Sequence, residues 1–354
     1  MKSSLIQLFE KQGVLVQNRR GQDVAMSFLG ASKEVDSARS GTALTWQGAV
    51  SRIHVTGRHR LRFIHNMTTC QIKELQTGQG NYGLVVNDGG KLVVQFFVEA
   101  EEDALVLEFD PAGYAGALAQ LKKYIIADDV KFAEPVSMDL LTLVGPTADD
   151  VMSQFGLKAD HVSIHAWSDI SIGSETCRVR RNNLRLGGPS WDVLVPHAGA
   201  STAWSALEAA GAAPVGFDAW EFLRIQYGWP LTGVDVGDEN IPLESDRLAA
   251  TIDWDKGCYI GQEVIAMMHY RGRPNKHLGR IQFTEAPKEG EPGTPLSNSA
   301  GKVVGRLGSS ITTPEGCVVA LAVIKRRHAD DDASFTTPCG TAGNFHRFPK
   351  YVVD

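Results

Sequence analysis

The sequence is short of several things. Its five cysteines, Cys70, Cys177, Cys258, Cys317 and Cys339, stand far apart, and no two are spaced as CxxC. That spacing argues against a zinc knuckle or a self-contained cluster site. It fits reduced thiols in a reducing compartment. No apolar run is long enough to cross a bilayer. The opening stretch MKSSLIQLFEKQG is broken by Glu10 and does not read as a secretory signal, so a cytoplasmic location is expected. There is no excess of positive charge: the formal net charge is −6, which argues against a broad nucleic-acid-binding face. Low-complexity tracts are absent as well.

What is present is an ordinary globular mixture, 43% hydrophobic and 21% charged, so domain-scale disorder is not expected. The chain's 354 residues exceed what one core usually serves, and two or three domains are expected. Residues 1–45 read as a polar lead-in with one weak helix, Leu5 to Gln12. Apolar alternation marks a strand from Ala49 to Val55, and a short helix is expected within residues 58–70. Asn81 to Val86, the turn Asn87-Asp88-Gly89-Gly90 and Lys91 to Val98 predict a hairpin. A third strand, Ala104 to Phe109, and a helix, Gly113 to Tyr124, follow. Later come strands at Leu140 to Val144 and Val193 to Val195, a helix starting near Ala148, and helices over Ala200 to Ala210 and Phe217 to Tyr227. The stretch from Gly228 to Asp255 reads as an ordered irregular loop, a kind often functional. After Arg273-Pro274 the chain turns into short β-like runs divided by Gly and Pro. This predicts a small β-barrel over residues 276–354, after an α+β region over 1–275.

The densest unusual segment is KGCYIGQE, Lys256 to Glu263. Its glycines permit a tight backbone path, and Val264, Met267, Met268 and Arg271 fit a helix starting at Gly261. Cys258 then lies just before a helix N-terminus and beside Lys256. Both favour a thiolate, whereas Asp253 and Asp255 oppose it. A small residue packed in a turn is the plainer reading of the same cysteine. Gln262 and Glu263 close the segment as an amide–acid pair. His54, His65, His269 and His277 are scattered and read as surface or packed residues, not metal ligands.

KGCYIGQE, with HYRG at 269–272, resembles the signature of the folate-binding YgfZ family, relatives of the glycine-cleavage aminomethyltransferases. Further matches are Thr56-Gly57 with FIHNMTT (63–69), NDGG (87–90), WEFLRIQYGWP (220–230), and Pro242 with Glu244. The likeness spans roughly residues 45 to 350. It implies an α+β, three-domain ring with a ferredoxin-like middle domain, a C-terminal β-barrel and tetrahydrofolate in the central opening. It also implies a role in the assembly or repair of iron–sulfur enzymes, including radical enzymes that modify tRNA. The implied partners are a cluster carrier or a client enzyme, with no direct contact to nucleic acid or membrane.

Carried over by position, the signature residues are Cys258, Lys256, Gln262 and Glu263, with Cys258 able to share a cluster held mainly by a partner. The implied folate contacts are Trp220, Trp46, Arg224, Asp192 and Arg271. Trp220 also reads as a core anchor of its helix. Arg271, Arg273, Lys276 and Arg280 form a basic run suited to folate's carboxylate tail, to a partner's acidic or RNA surface, or to a solvated face. One departure separates the branches. Where aminomethyltransferases carry paired aspartates after the second strand's turn, this chain has Val93 and Val94, which cannot accept a proton. In GGPSWD (187–192), the first expected acid is Gly188 and the last is Asp192. A folate-dependent aminomethyl or methyl transferase is the competing expectation, and a folate scaffold without chemistry is a third.

Overall fold

The computed structural model describes residues 2–349 except Arg185, Gly187, Glu289 and Pro314. The first glycine of GGPSWD, and residues 350–354 of the expected barrel region, therefore lie outside the described residues. The centrepiece is a ten-stranded mixed sheet built around one long strand, Ala43–Thr56. Beyond one flank of it come Leu105–Phe109, Leu92–Ala100 and Gly80–Val86. Beyond the other come Val136–Val144, Ser190–Val195, Glu175–Asn182 and Trp167–Ile172. The long strand changes partners along its length. Its first residues pair with Leu141 to Val144 and, in parallel, with Ala213–Pro214, while Ser51 to Val55 pair with Leu105 to Phe109. A bulge between Trp46 and Ala49 separates these stretches.

Each half of the sheet has its own core. One gathers Phe63, Ile64, Phe96, Leu107 and Leu121 under helices Arg60–Met67 and Pro111–Lys122. The other gathers Phe9, Trp46, Trp191 and Trp204 under helices Ser4–Lys11 and Ala200–Ala209. A six-stranded closed barrel, opening with Lys276–Phe283, packs its interior around Phe283, Leu307, Phe335 and Phe345. Its outer residues Val319, Leu321 and Val323 join Trp220, Phe222, Ile225 and Trp229 in a central core. Helix Phe217–Tyr227 lies between the units and is buried nearly all round, so it lacks a clean amphipathic stripe.

The N-terminal lead-in is more ordered than its polarity suggests. It holds a hairpin, Val16–Arg19 with Gln22–Ala25, and a helix, Ala31–Ser40. Glu34 on that helix is fully buried and accepts from the amides of Phe28, Leu29 and Gly216, so its charge serves the core. Strands Trp167–Ile172 and Glu175–Asn182 were also hidden in the sequence. Their arginines enter a buried ionic cluster: Arg180 pairs with Glu99, Glu108 and Asp192, Arg52 with Glu99, and Arg178 with Glu99, Glu101 and Asp169. A face that buries charge against charge does not show as hydrophobic alternation. The loop from Gly228 to Asp255 holds two short turns of helix, Pro242–Glu244 and Asp246–Ala249.

Candidate functional site

A cavity of about 280 Å³ opens where the sheet, helix Phe217–Tyr227 and the N-terminal hairpin meet. Its wall mixes aromatic and polar side chains, the aromatic ones being Trp46, Tyr82, Phe96, Phe97 and Phe109 from the sheet, then Phe217, Trp220 and Trp229. Trp46 donates its indole N–H to Asp139 Oδ1 at 2.9 Å, which fixes its plane. Trp220 and Arg224 sit one helical turn apart and so face the same way. Arg224 is tied down by Glu221 (2.6 and 2.9 Å), Asp235 (3.0 Å) and the Trp229 carbonyl (2.5 Å). Burial alone would raise the Glu221 carboxyl, but Arg224 and Arg20 hold it down at about 2. Gln47 also lines the cavity, and its buried Nε2 has no acceptor among the described residues.

The expected folate residues separate on this map. Trp220, Trp46 and Arg224 do line the cavity. Asp192 sits one layer behind it, fully buried, accepting from Thr142 Oγ1 (2.9 Å), Arg180 Nη2 (2.9 Å) and Asn182 Nδ2 (3.0 Å). Arg180 in turn grips Glu108, which does line the cavity, and lies 3.5 Å over the Phe97 ring. Arg271 is exposed at the end of helix Gln262–Tyr270 and is not among the cavity residues, nor are Arg273, Lys276 and Arg280. Besides Arg224, the cations that line it are Arg19 and Arg20, which lie in the stretch read as a polar lead-in. Val94 lines the cavity; Val93 packs half-buried against the neighbouring core.

The KGCYIGQE segment forms a loop sewn onto the end of helix Arg60–Met67. The amides of Asp253 and Ile260 donate to the carbonyls of Thr69 and Asn66, each at 3.0 Å. Lys256 is buried, and its ammonium donates to the carbonyls of His65 (2.6 Å), Thr68 (2.5 Å) and Cys70 (3.0 Å). A buried ammonium needs acceptors, and the last turn of the helix and the residues after it supply three. Burial lowers its pKa to about 8. The two motifs FIHNMTT and KGCYIGQE are thus two sides of one contact. Gly261 adds a second seam. It has φ +78, and a Cβ there would lie 2.3 Å from the Asn87 carbonyl and 3.0 Å from Gly90 in the NDGG turn.

Cys258 itself is exposed on this loop, four residues before Gln262 opens the helix. Glu263 is exposed in the first helical turn and Gln262 is half-buried. Only Ile265 is buried on this helix; of the expected stripe, Val264 and Met268 are half-buried while Met267 and Arg271 are exposed, and Trp254 stacks on His269 at 3.8 Å. Among the described residues, no group of three or more His, Cys, Asp or Glu side chains is arranged to hold a metal. No helix among them is long and apolar enough to cross a membrane.

Comparisons with known proteins agree with this architecture. The chain is 29% identical over 299 residues to a chloroplastic protein of Arabidopsis thaliana provisionally named a transferase, covering 81% of this chain and 66% of that protein. It is 23% identical to an aminomethyltransferase of Thermosynechococcus vestitus over 65% of this chain and 63% of that protein, so it spans a little under two thirds of the length of these relatives. With the aminomethyltransferase of Deinococcus deserti it shares 24% identity over 88% of this chain and 85% of that protein. The glycine cleavage system aminomethyltransferase T of Bartonella henselae has the same fold, with a TM-score of 0.80 over 98% of this chain and 97% of that one at 18% identity. The family model described as the GCVT N-terminal domain matches residues 5–256, and the chain belongs to that family.

Proposed function

We propose that the chain binds a reduced folate in the central cavity and serves as an accessory protein for the assembly or repair of iron–sulfur enzymes, as in the YgfZ branch. The observation that carries the folate reading is a cavity with several aromatic rings in its wall, in which Gln47 Nε2 has no acceptor among the described residues. A pterin has flat faces for Trp220 and Trp46 and ring acceptors for Gln47. Bound tetrahydrofolate supplies a one-carbon carrier at its reduced ring nitrogens. The protein's own share is to orient the ring, exclude water with its aromatic side chains and keep the adjacent charges fixed.

The cavity is poorly equipped for the proton transfers of aminomethyl transfer. Val93 and Val94 cannot take a proton. Glu221 is held near 2 by its arginines, and Glu108 has both oxygens occupied by Arg180. Cys258 is the exposed group of the signature loop and supports contact with a cluster carrier, a sulfur donor or a client enzyme, including radical enzymes acting on tRNA. The transferase alternative rests on the names of the relatives and would have to run through Asp110 at the cavity rim.

Two measurements test the reading. Tetrahydrofolate should quench tryptophan fluorescence, and Trp220→Ala should weaken binding by roughly tenfold, the size of one lost aromatic contact. No heat of binding in calorimetry would refute the folate reading. In cells lacking the native gene, Cys258→Ser should fold and bind folate but fail to restore iron–sulfur enzyme activity. Full complementation would remove the thiol from the mechanism.

A further inference from the structure

Helix Gln262–Tyr270 presents a face that the described residues leave uncovered. Ile265 is its one buried residue. At about 100° per residue, Ile265 points away from Glu263, Met267, Tyr270 and Arg271, which lie three or four residues apart along one stripe. All four are exposed, Met267 at 54% and Tyr270 at 70%. A single apolar residue in water is ordinary, but two on one stripe between opposite charges form a pattern.

The stripe runs in a fixed order: an acid at the start of the helix, apolar side chains in the middle, a cation at its end. Among the described residues, neither the Glu263 carboxylate nor the Arg271 guanidinium has a hydrogen bond or an ion pair. Tyr270 is held in place, its ring meeting that of Trp254 edge-on at 6.2 Å, while Trp254 stacks on His269 at the helix flank. Turned end for end, this order is its own complement. Two copies of the helix laid antiparallel about Met267 set Glu263 of each against Arg271 of the other. They also bring Tyr270 of each over the half-buried Val264 of the other. A partner of uniform charge would leave one end of the stripe in like-charge contact, whereas a second copy satisfies both ends.

We propose that this stripe is the contact of a symmetric dimer, in which helix Gln262–Tyr270 packs antiparallel on the same helix of a second copy, with Met267 on the twofold axis. The inference is independent of the folate and iron–sulfur readings. A helix about 14 Å long covers less than the roughly 1,200 Å² at which stable complexes begin. The dimer is therefore of the weak, transient kind, with a dissociation constant on the order of 100 µM. Because Cys258 stands on the loop that leads into this helix, the dimer and any partner of the signature loop draw on adjoining surface.

The test is sedimentation equilibrium of the full chain under reducing conditions, over about 5 to 500 µM. The mass should rise from 38.4 kDa toward twice that value as concentration increases. Glu263→Arg or Arg271→Glu alone should weaken pairing about three- to tenfold, since each sets two like-charge contacts about the axis. The double variant, Glu263→Arg with Arg271→Glu, reverses the order but stays self-complementary, and should pair within about twofold of the wild type. On oxidation, Met267→Cys in a chain also carrying Cys258→Ser and Cys339→Ser should form an interchain disulfide through position 267. A chain that stays monomeric throughout would overturn the dimer and leave the stripe to a different protein. A double variant as weak as the single ones, or association without a cross-link at position 267, would overturn it too.

Discussion

Replacing Lys256 with methionine keeps an unbranched side chain of similar girth, one atom shorter, and removes its charge and donors. In the native chain, one ammonium satisfies three carbonyls that follow or end helix Arg60–Met67, at 2.5 to 3.0 Å. A hydrogen bond from a charged donor contributes about 1.5–3 kcal/mol net, and a buried carbonyl left without a donor costs about 1–3 kcal/mol. The ammonium's own desolvation, which lowers its pKa to about 8, is recovered in the variant and offsets part of this. The expected loss is therefore about 3–5 kcal/mol, a large fraction of the 5–15 kcal/mol that holds a typical domain together. Urea denaturation should show the midpoint falling with the slope unchanged. Hydrogen exchange should show residues 253–262 and 65–70 losing protection together, because the staple joins them. A loss below about 1 kcal/mol, or exchange that changes in one segment alone, would refute the staple.

Gly261→Ala should cost about 2–4 kcal/mol and loosen the NDGG turn, since the added carbon meets a backbone oxygen at 2.3 Å and the backbone is left-handed; thermal unfolding checks it. His165 is pushed down to about 3 by burial first and by Arg180 second, so it stays neutral in the fold while the unfolded chain takes up a proton below about 6.5. Unfolding free energy should therefore fall as pH drops from about 6.5 toward 3, by up to about 1.4 kcal/mol per pH unit, and His165→Gln should flatten that slope in denaturant titrations at pH 7 and 5. In a glycine-cleavage reconstitution, with the chain in place of the aminomethyltransferase, turnover should stay at background; substantial aminomethyl transfer would overturn the assignment built on Val93 and Val94.

The parts of the fold legible in the sequence were those whose buried face is apolar. The hairpin around NDGG and the β-rich C-terminal segment follow from alternation and turn residues that local chemistry dictates. What escaped was built on buried charge. Arg178, Arg180 and Glu34 give no apolar signal in the sequence, yet they meet partners remote in the chain, such as Glu99, Glu108 and the amide of Gly216. The site divided in the same way. Trp220 and Trp46 were reachable by resemblance, whereas Arg19 and Arg20 were not, because only the folded chain brings their hairpin over the cavity. Lys256 stands beside Cys258 in the sequence, but adjacency says nothing about where a long side chain finds acceptors, and its ammonium goes to the carbonyls of His65, Thr68 and Cys70.

The strand Ala43–Thr56 has a consequence for how the molecule is made. Made before its partners, it cannot complete its pairing until Val136–Val144 and then Ala213–Pro214 have been synthesised. Until then an edge rich in unpaired backbone groups and apolar side chains stays open, the condition under which nascent chains associate wrongly. Neither half of the sheet can be expressed alone without inheriting that open edge. Fragments cut within residues 60–210 should be insoluble, and the full chain should depend on chaperones during synthesis more than its size alone would suggest.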